Sequence, residues 1–134
     1  MIRGSCECAK VRYEVDGELT DYSHCHCSKC RKLHGAAFAT WGGVRYAEFR
    51  YVSGQDYLKK YAFSENSASV FCSHCGSRLL TESSAEPDML YITMGTIDGE
   101  VACPPGFHEY VGSKAPWYDI CDDLPQFDAS SPEG

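Results

Sequence analysis

The sequence predicts an all-β domain with little helix. Short stretches in which apolar and polar residues alternate recur along the 134-residue chain, and several of them end at glycine. Alternation with a period of two is typical of half-buried strands, whereas a helix needs a period near 3.6. The length suits one domain with a modest core, which we expect to span residues 1–127, with a flexible tail at residues 128–134.

The predicted strands follow one another at short intervals. In the first, Val11, Tyr13 and Val15 alternate with charged residues before a turn signal. We therefore expect one face of this strand to be buried. The other predicted strands cover residues 22–27, 36–41, 49–53, 57–63, 69–71, 78–81 and 89–94.

Glycines are expected to end two of these elements. Residues 28–33 fit one or two helical turns that Gly35 terminates. The apolar run at residues 36–41 is predicted to be a buried strand that stops at Gly42 and Gly43.

The aromatic-rich segment at residues 107–120 is expected to be a loop. It either packs over the sheet as a lid on the core or lines a pocket through Trp117 or His108. Core packing is the usual fate of such residues.

Nine cysteines are many for this length, and two interpretations compete: an extracellular disulfide scaffold and an intracellular metal protein. Residues 1–5 lead into Cys6 without an apolar run, so we expect no secretory signal and a cytoplasmic protein without membrane spans. Seven cysteines fall into dense groups, which favours metal. Cys103 and Cys121 stand apart and are expected to be buried, unpaired thiols without a function.

Residues 25–30, with the sequence CHCSKC, place three thiols within six residues. On an extended strand Cys25 and Cys27 point to the same side, and a turn can bring Cys30 to the same point. Three protein ligands are typical of zinc sites that leave a fourth position to water or substrate. The segment therefore predicts a zinc site at which chemistry is possible.

A second pattern pairs C-x-C at residues 6–8 with C-x-x-C-G at residues 72–76. Together Cys6, Cys8, Cys72 and Cys75 supply four thiolates, which is the donor set of a closed structural zinc site. A glycine after the second cysteine suits a tight turn with positive φ. Because the two halves are more than sixty residues apart, the ion closes a long loop, and its removal should unfold much of the chain.

The formal net charge of −7 argues against nucleic-acid binding. Seven bound thiolates and two divalent ions would change it by −7 + 4 = −3, whereas phosphate backbones require a basic surface. The local exception is Lys29, Arg31 and Lys32 beside the three-thiol group. These cations either favour thiolates and attract a small anion, or are solvated side chains on a short helix.

The order of these motifs resembles the glutathione-dependent formaldehyde-activating enzymes, the CENP-V/GFA domain family, over nearly the whole chain. The matching segments are G-S-C-x-C at residues 4–8, C-H-C-x-x-C-R at 25–31, F-C-x-x-C-G-S at 71–77, a G-T-I-D turn at 95–98 and K-A-P-W at 114–117. The resemblance implies a β-tent fold of short antiparallel sheets with two zinc ions. It places a structural ion on Cys6, Cys8, Cys72 and Cys75, and a catalytic ion on Cys25, Cys27 and Cys30.

The resemblance also implies an activity: carbon–sulfur lyase chemistry that joins glutathione, or another small thiol, to formaldehyde or a related small aldehyde. The thiolate would attack the aldehyde carbon, and an acid or a bound water would protonate the resulting alkoxide. The sequence does not identify that acid. His34, beyond the short helix, is a weak candidate: it either comes back toward the metal or is a surface imidazole, which is the more common outcome. His24 and His26 are expected to point away from the metal, and His74 is expected to be exposed.

Two other classes of function stay open at this stage. One is a non-catalytic two-zinc module that binds another protein, and the other is a metal-storage or redox-sensing protein with exposed thiolates. A pure scaffold has no reason to leave a zinc ion unsaturated. A fourth ligand from His24, His34, Cys103 or an acidic side chain would remove that distinction.

Overall fold

In a computed structural model, residues 1–130 are described, and they form two β-sheets with one short α-helix. The strands of the smaller sheet are β1 (Ile2–Ser5), β2 (Arg12–Val15), β5 (Phe49–Ser53) and β10 (Ile97–Asp98). Their order is β10-β1-β2-β5, and every pair is antiparallel. The expectation of an all-β domain with little helix is confirmed.

The larger sheet has seven strands. They are β3 (Asp21–Cys25), β4 (Ala39–Arg45), β6 (Leu58–Ala62), β7 (Ser67–Cys72), β8 (Arg78–Ser83), β9 (Met89–Thr93) and β11 (Phe107–Glu109). Their order is β11-β3-β4-β9-β8-β7-β6. The edge strand β11 runs parallel to β3, and the other neighbours are antiparallel.

One hydrophobic core joins the two sheets, because apolar residues on the facing sides of both contact one another. Tyr13 and Val15 of β2 are buried there, which confirms the predicted face of that strand. Val70, Leu80 and Ile92 come from neighbouring strands of the larger sheet, where they pair in register. The core therefore occupies one face of the larger sheet and leaves the other face available for a site.

The helix α1 (Ser28–His34) follows β3 and is bounded as the sequence predicts. At its start the Cys27 sulfur accepts a hydrogen bond from the Cys30 N–H at 3.3 Å. At its end Gly35 has φ of 59° and donates its N–H to the Arg31 carbonyl. This left-handed conformation costs a glycine little, so the helix stops there.

The predicted end of a strand at Gly42 and Gly43 is wrong. Strand β4 begins at Ala39 and runs through both glycines. A Cβ on Gly42 would lie 2.8 Å from the Met94 sulfur, and one on Gly43 would lie 1.7 Å from an Asp21 carboxylate oxygen. These glycines therefore allow neighbouring side chains to approach the strand closely, and they do not form a turn.

The segment at residues 107–120 is partly strand, so the expectation of a loop is wrong for Phe107–Glu109. His108 is 1% exposed within it, whereas Trp117 is 70% exposed and therefore does not cover the core. A three-residue strand carries too short an alternation to be recognised in a sequence. The four-residue strand β1 was also not predicted, because Ile2 is its only large apolar residue.

The expected burial of Cys103 and Cys121 is also wrong, because both thiols are exposed. Each lies in a segment without regular secondary structure, and two prolines follow Cys103 directly. Proline has no N–H for a sheet ladder, so such a segment stays outside the packed strands.

The end of the described chain is tied to the preceding turn. The carbonyls of Asp128 and Ala129 accept hydrogen bonds from the N–H groups of Gly112 and Tyr110. Residues 131–134, the rest of the expected tail, lie outside the described residues. Each helix among residues 1–130 is too short or too polar to span a lipid bilayer.

Close packing at Gly4 gives a test of the core. A Cβ on Gly4 would lie 2.1 Å from the ring of Tyr13, which is 1% exposed and enclosed by the core. We expect Gly4→Ala to lower the free energy of unfolding by about 2 kcal/mol, as overpacked cores do. Gly95→Ala is the matched control, because its Cβ would meet no atom within 4 Å. Denaturant unfolding at fixed zinc concentration measures both, and equal midpoints would contradict the packing described.

Candidate metal centres and the adjoining cleft

Four sulfur atoms come together where the two sheets meet. Cys6 and Cys8 follow β1, while Cys72 and Cys75 lie at the turn between β7 and β8. All four sulfurs lie within 4.8 Å of one another. The sulfur of Cys8 is 3.5 Å from that of Cys6 and 3.9 Å from that of Cys72. A tetrahedral zinc–thiolate site with bonds of about 2.3 Å has sulfur–sulfur distances of about 3.8 Å, so this donor set fits the ion.

The turn that carries Cys72 and Cys75 is shaped by backbone hydrogen bonds. The N–H of Gly76 donates to the Cys72 carbonyl at 2.7 Å, and that of Cys72 donates to the Ser77 carbonyl at 3.0 Å. Gly76 has φ of 83°, which confirms the positive φ expected there. The Ser77 hydroxyl also accepts the N–H of Glu7 at 3.0 Å and thereby joins the two halves of the cluster.

Three further sulfurs form a second cluster at the start of α1. Those of Cys25, Cys27 and Cys30 lie within 4.8 Å of one another. Contact with the other two sulfurs and with the N–H groups of Cys30 and Lys29 lowers the pKa of Cys27 to about 2. Contact with Cys27 and Cys30, together with burial, raises the pKa of Cys25. Cys27 is thus the thiol of the cluster that loses its proton most readily, and a bound metal cation would favour thiolates at all three cysteines.

Within residues 1–130, no histidine, cysteine or acidic residue places a fourth ligand atom within 4.8 Å of all three sulfurs. His24 is held elsewhere by a 2.9 Å hydrogen bond between its Nδ1 and the Thr40 hydroxyl. His34 packs edge-on against Trp41, with ring centres 5.1 Å apart, and burial lowers its pKa. Its role as an acid stays a prediction. Exposed Cys103 lies in a different cleft, and His74 is exposed as expected.

Behind the three-sulfur cluster, buried histidines connect β3 to β11. His26 is 0% exposed, and its Nε2 lies 2.8 Å from Nδ1 of His108. Nε2 of His108 lies 2.9 Å from an Asp122 carboxylate oxygen. Because a carboxylate only accepts, His108 donates from Nε2 and, when neutral, accepts at Nδ1 the proton of His26. Burial and the neighbouring His108 lower the pKa of His26 to about 4, so His26 is neutral near pH 7.

The three-sulfur cluster borders a cleft of about 440 Å³ on the face of the larger sheet opposite the core. Asp21, Ser23 and Cys25 occupy every second position of β3, so all three side chains point to this face. Cys30, which belongs to the cluster, lines the cleft together with Trp41 and Tyr91. Sequence reasoning missed these cleft residues, although the alternation before Cys25 was a signal that could have found Asp21 and Ser23.

Negative charge dominates this cleft. Its walls carry the carboxylates of Asp21, Glu86 and Glu109, and no lysine, arginine or histidine among the described residues lines it. Burial, followed by the charge of Glu86, raises the pKa of Asp21. Burial and the same carboxylates raise the pKa of Tyr91. Lys29 reaches only the edge, where its ammonium donates to the Phe63 carbonyl at 3.0 Å.

Two sulfur clusters on this scaffold define an all-β, cysteine-rich domain that can hold metal ions. A sequence profile described as glutathione-dependent formaldehyde-activating enzyme matches residues 1–113. The chain belongs to this family, and the resemblance seen in its motifs is confirmed.

Two relatives support this assignment. A Halomonas elongata protein, provisionally named a glutathione-dependent formaldehyde-activating enzyme, is 26% identical over 127 residues, which cover 90% of this chain and 81% of that protein. A Rhodobacter sphaeroides protein with a known crystal structure is 27% identical in sequence to this chain, and the two structures superpose with a TM-score of 0.62. That match covers 73% of this chain and 89% of the other.

The buried histidine pair gives a second test. Replacing His108 by Phe keeps a ring of similar size but leaves Nε2 of His26 without a partner at a site that is 0% exposed. We expect His108→Phe to lower the free energy of unfolding by about 1–3 kcal/mol, the usual cost of an unsatisfied buried polar group. The control His74→Phe lies on the surface and should change it by less than about 0.5 kcal/mol. Equal denaturant midpoints for the two variants would contradict a stabilising role of the pair.

Proposed function

We propose that this protein is a carbon–sulfur lyase that adds a small thiol to formaldehyde or a related small aldehyde, at a zinc ion held by Cys25, Cys27 and Cys30. Glutathione is the thiol that the family's name supplies. The observation that carries the proposal is that Cys30 belongs both to the three-sulfur cluster and to the wall of a cleft of about 440 Å³. Membership of the family supports the same reaction class.

The donor sets support zinc at both clusters. Thiolates are preferred zinc ligands, and a four-sulfur set closes the tetrahedron, whereas a three-sulfur set leaves one position for water or substrate. The proposal therefore gives Cys6, Cys8, Cys72 and Cys75 a structural ion and the second cluster a catalytic one. It includes the β-tent arrangement and the cytoplasmic location expected for the family.

The reaction needs no oxidant or reductant. A carbon–sulfur bond forms between the thiol and the aldehyde carbon, the π electrons of the carbonyl move to oxygen, and the thiol proton ends on that oxygen. A bound zinc ion would favour the thiolate over the thiol and polarise the aldehyde. The apolar walls from Trp41 and Tyr91 limit the access of water to the cluster and so strengthen electrostatic interactions there.

The cleft also bears on the alternative of a non-catalytic protein-binding module. A structural scaffold requires neither an open ligand set nor a concave surface beside it. Small-molecule sites are typically concave. The cleft beside Cys30 is concave, and its walls combine aromatic rings with carboxylates and hydroxyl groups.

The two clusters should differ in what they contribute to folding. Cys25→Ser should leave about one zinc ion per chain in a folded protein, because its cluster spans a short segment. Cys72→Ser should lose far more stability, because its cluster joins residues 64 positions apart in sequence. Cys103→Ser, at an exposed thiol, is the control. Zinc content and thermal unfolding measure the difference, and equal losses in the two cluster variants would refute the distinction between structural and open sites.

The reaction itself can be followed by two-dimensional exchange NMR with ¹³C-formaldehyde. Because thiols add to formaldehyde without catalysis, the quantity to measure is the exchange rate above that of a protein-free sample. We expect the zinc-loaded protein to accelerate exchange of the S-hydroxymethyl carbon of glutathione or a smaller thiol. Cys25→Ser should abolish the acceleration, and Cys103→Ser should retain it. A wild-type protein with both zinc ions and no acceleration for any thiol would overturn the proposed function.

A further inference from the structure

The cleft beside Cys30 combines acidic and aromatic walls. Carboxylates come from Asp21, Glu86 and Glu109, which lie far apart in the sequence and are brought together by β3, the turn before β9, and β11. Neither Asp21 nor Glu86 makes a salt bridge with any described residue. Aromatic rings, including those of Trp41 and Tyr91, complete the walls. Carboxylates and aromatic faces both attract cations.

A serine side chain without a hydrogen-bond partner in the described residues independently indicates a ligand in this cleft. Ser23 is 6% exposed, and its side chain lines the cleft between Asp21 and Cys25 on β3. None of the hydrogen bonds within residues 1–130 involves its hydroxyl group. Its oxygen is not among the fully buried unpaired polar atoms of the described residues, so it reaches the surface of the cleft and is available to a polar group that enters.

The spacing of the acidic groups favours an organic cation over a metal ion. Among the described residues, only the two cysteine clusters bring three or more ligand atoms within 4.8 Å of one another. The three carboxylates are therefore too far apart to surround one small ion together. An ammonium group on a carbon chain is larger, donates three hydrogen bonds and suits an aromatic wall.

We propose that this cleft binds the ammonium group of the thiol substrate, so that the protein prefers thiols that carry an ammonium group to uncharged thiols and to thiols whose only charge is a carboxylate. The inference rests on the proposed thiol chemistry at Cys25, Cys27 and Cys30. Asp21 and Glu86 attract the ammonium group, and the Ser23 hydroxyl accepts a hydrogen bond from it. The sulfur then lies toward Cys30, at the end of the cleft where the three-sulfur cluster begins.

The test uses three thiols that share a two-carbon linker and differ in charge: cysteamine, 2-mercaptoethanol and 3-mercaptopropionate. Calorimetric titration of each into the zinc-loaded protein measures its dissociation constant. We expect cysteamine to bind about fivefold more tightly than mercaptoethanol, as one or two partly screened charge interactions would give, and mercaptopropionate to bind most weakly. Equal affinities, or tighter binding of mercaptopropionate, would overturn the inference.

Charge-neutralising variants separate the effect of the cleft on thiol affinity from the effect of each thiol's own acidity. Asp21→Asn combined with Glu86→Gln should reduce the affinity ratio of cysteamine to mercaptoethanol by about fivefold, because thiol acidity is the same for both proteins. Glu100→Gln is the control, since Glu100 lines a different cleft and should leave the ratio unchanged. If the double variant does not fold, salt serves instead: screening should weaken cysteamine binding to the wild type and strengthen mercaptopropionate binding. A salt-independent ratio would refute the charge selection.

Propylammonium, which has no thiol, distinguishes failure of this inference from failure of the proposed function. Saturation-transfer NMR should show that it binds the wild type and is displaced by cysteamine. If no thiol binds but propylammonium does, the ammonium site stands and the zinc–thiol reaction fails. If thiols bind without regard to charge and propylammonium does not bind, the reaction stands and the ammonium site fails.

Discussion

The structure depends on how the four-sulfur cluster joins the two sheets. Cys6 and Cys8 extend from the smaller sheet, and Cys72 and Cys75 belong to a turn of the larger one. The hydrophobic core contacts the same cluster, since Cys6 and Cys72 are buried among its apolar residues. An ion on these four sulfurs would hold the smaller sheet against one face of the larger sheet. The other face of the larger sheet then stays accessible.

The alternation of side chains along β3 then separates two environments. Asp21, Ser23 and Cys25 point to the accessible face, where the cleft and the three-sulfur cluster lie. His24 and His26 point the other way, into a layer of rings that includes His108 and is closed by Asp122. The same strand thereby carries the candidate metal ligand Cys25 on one side and a buried hydrogen-bonded support on the other, which is how ligand-bearing segments are commonly held in place.

Much of this arrangement could be predicted from the sequence, because it depends on local signals. Dense cysteine groups, the alternation around Tyr13 and the glycine at position 35 each determine a feature within a few residues. The cleft depends on longer-range pairing: Glu109 reaches β3 only through a three-residue parallel strand, and Glu86 arrives from the turn before β9. The prediction of a turn at Gly42 and Gly43 was wrong for a related reason. These glycines allow the side chains of Met94 and Asp21 to approach the strand closely, and a local sequence pattern does not reveal such contacts.

The central claim is that the second cluster holds a metal ion that the protein ligates with three sulfurs, next to a cleft that admits the substrate. Anomalous diffraction at the zinc edge, from crystals of the zinc-loaded protein soaked with a small thiol, tests it most directly. The account predicts two ions: one bound by four cysteine sulfurs, the other by Cys25, Cys27, Cys30 and the sulfur of the soaked thiol. A single ion, or a second ion whose fourth ligand is a protein side chain, would contradict it.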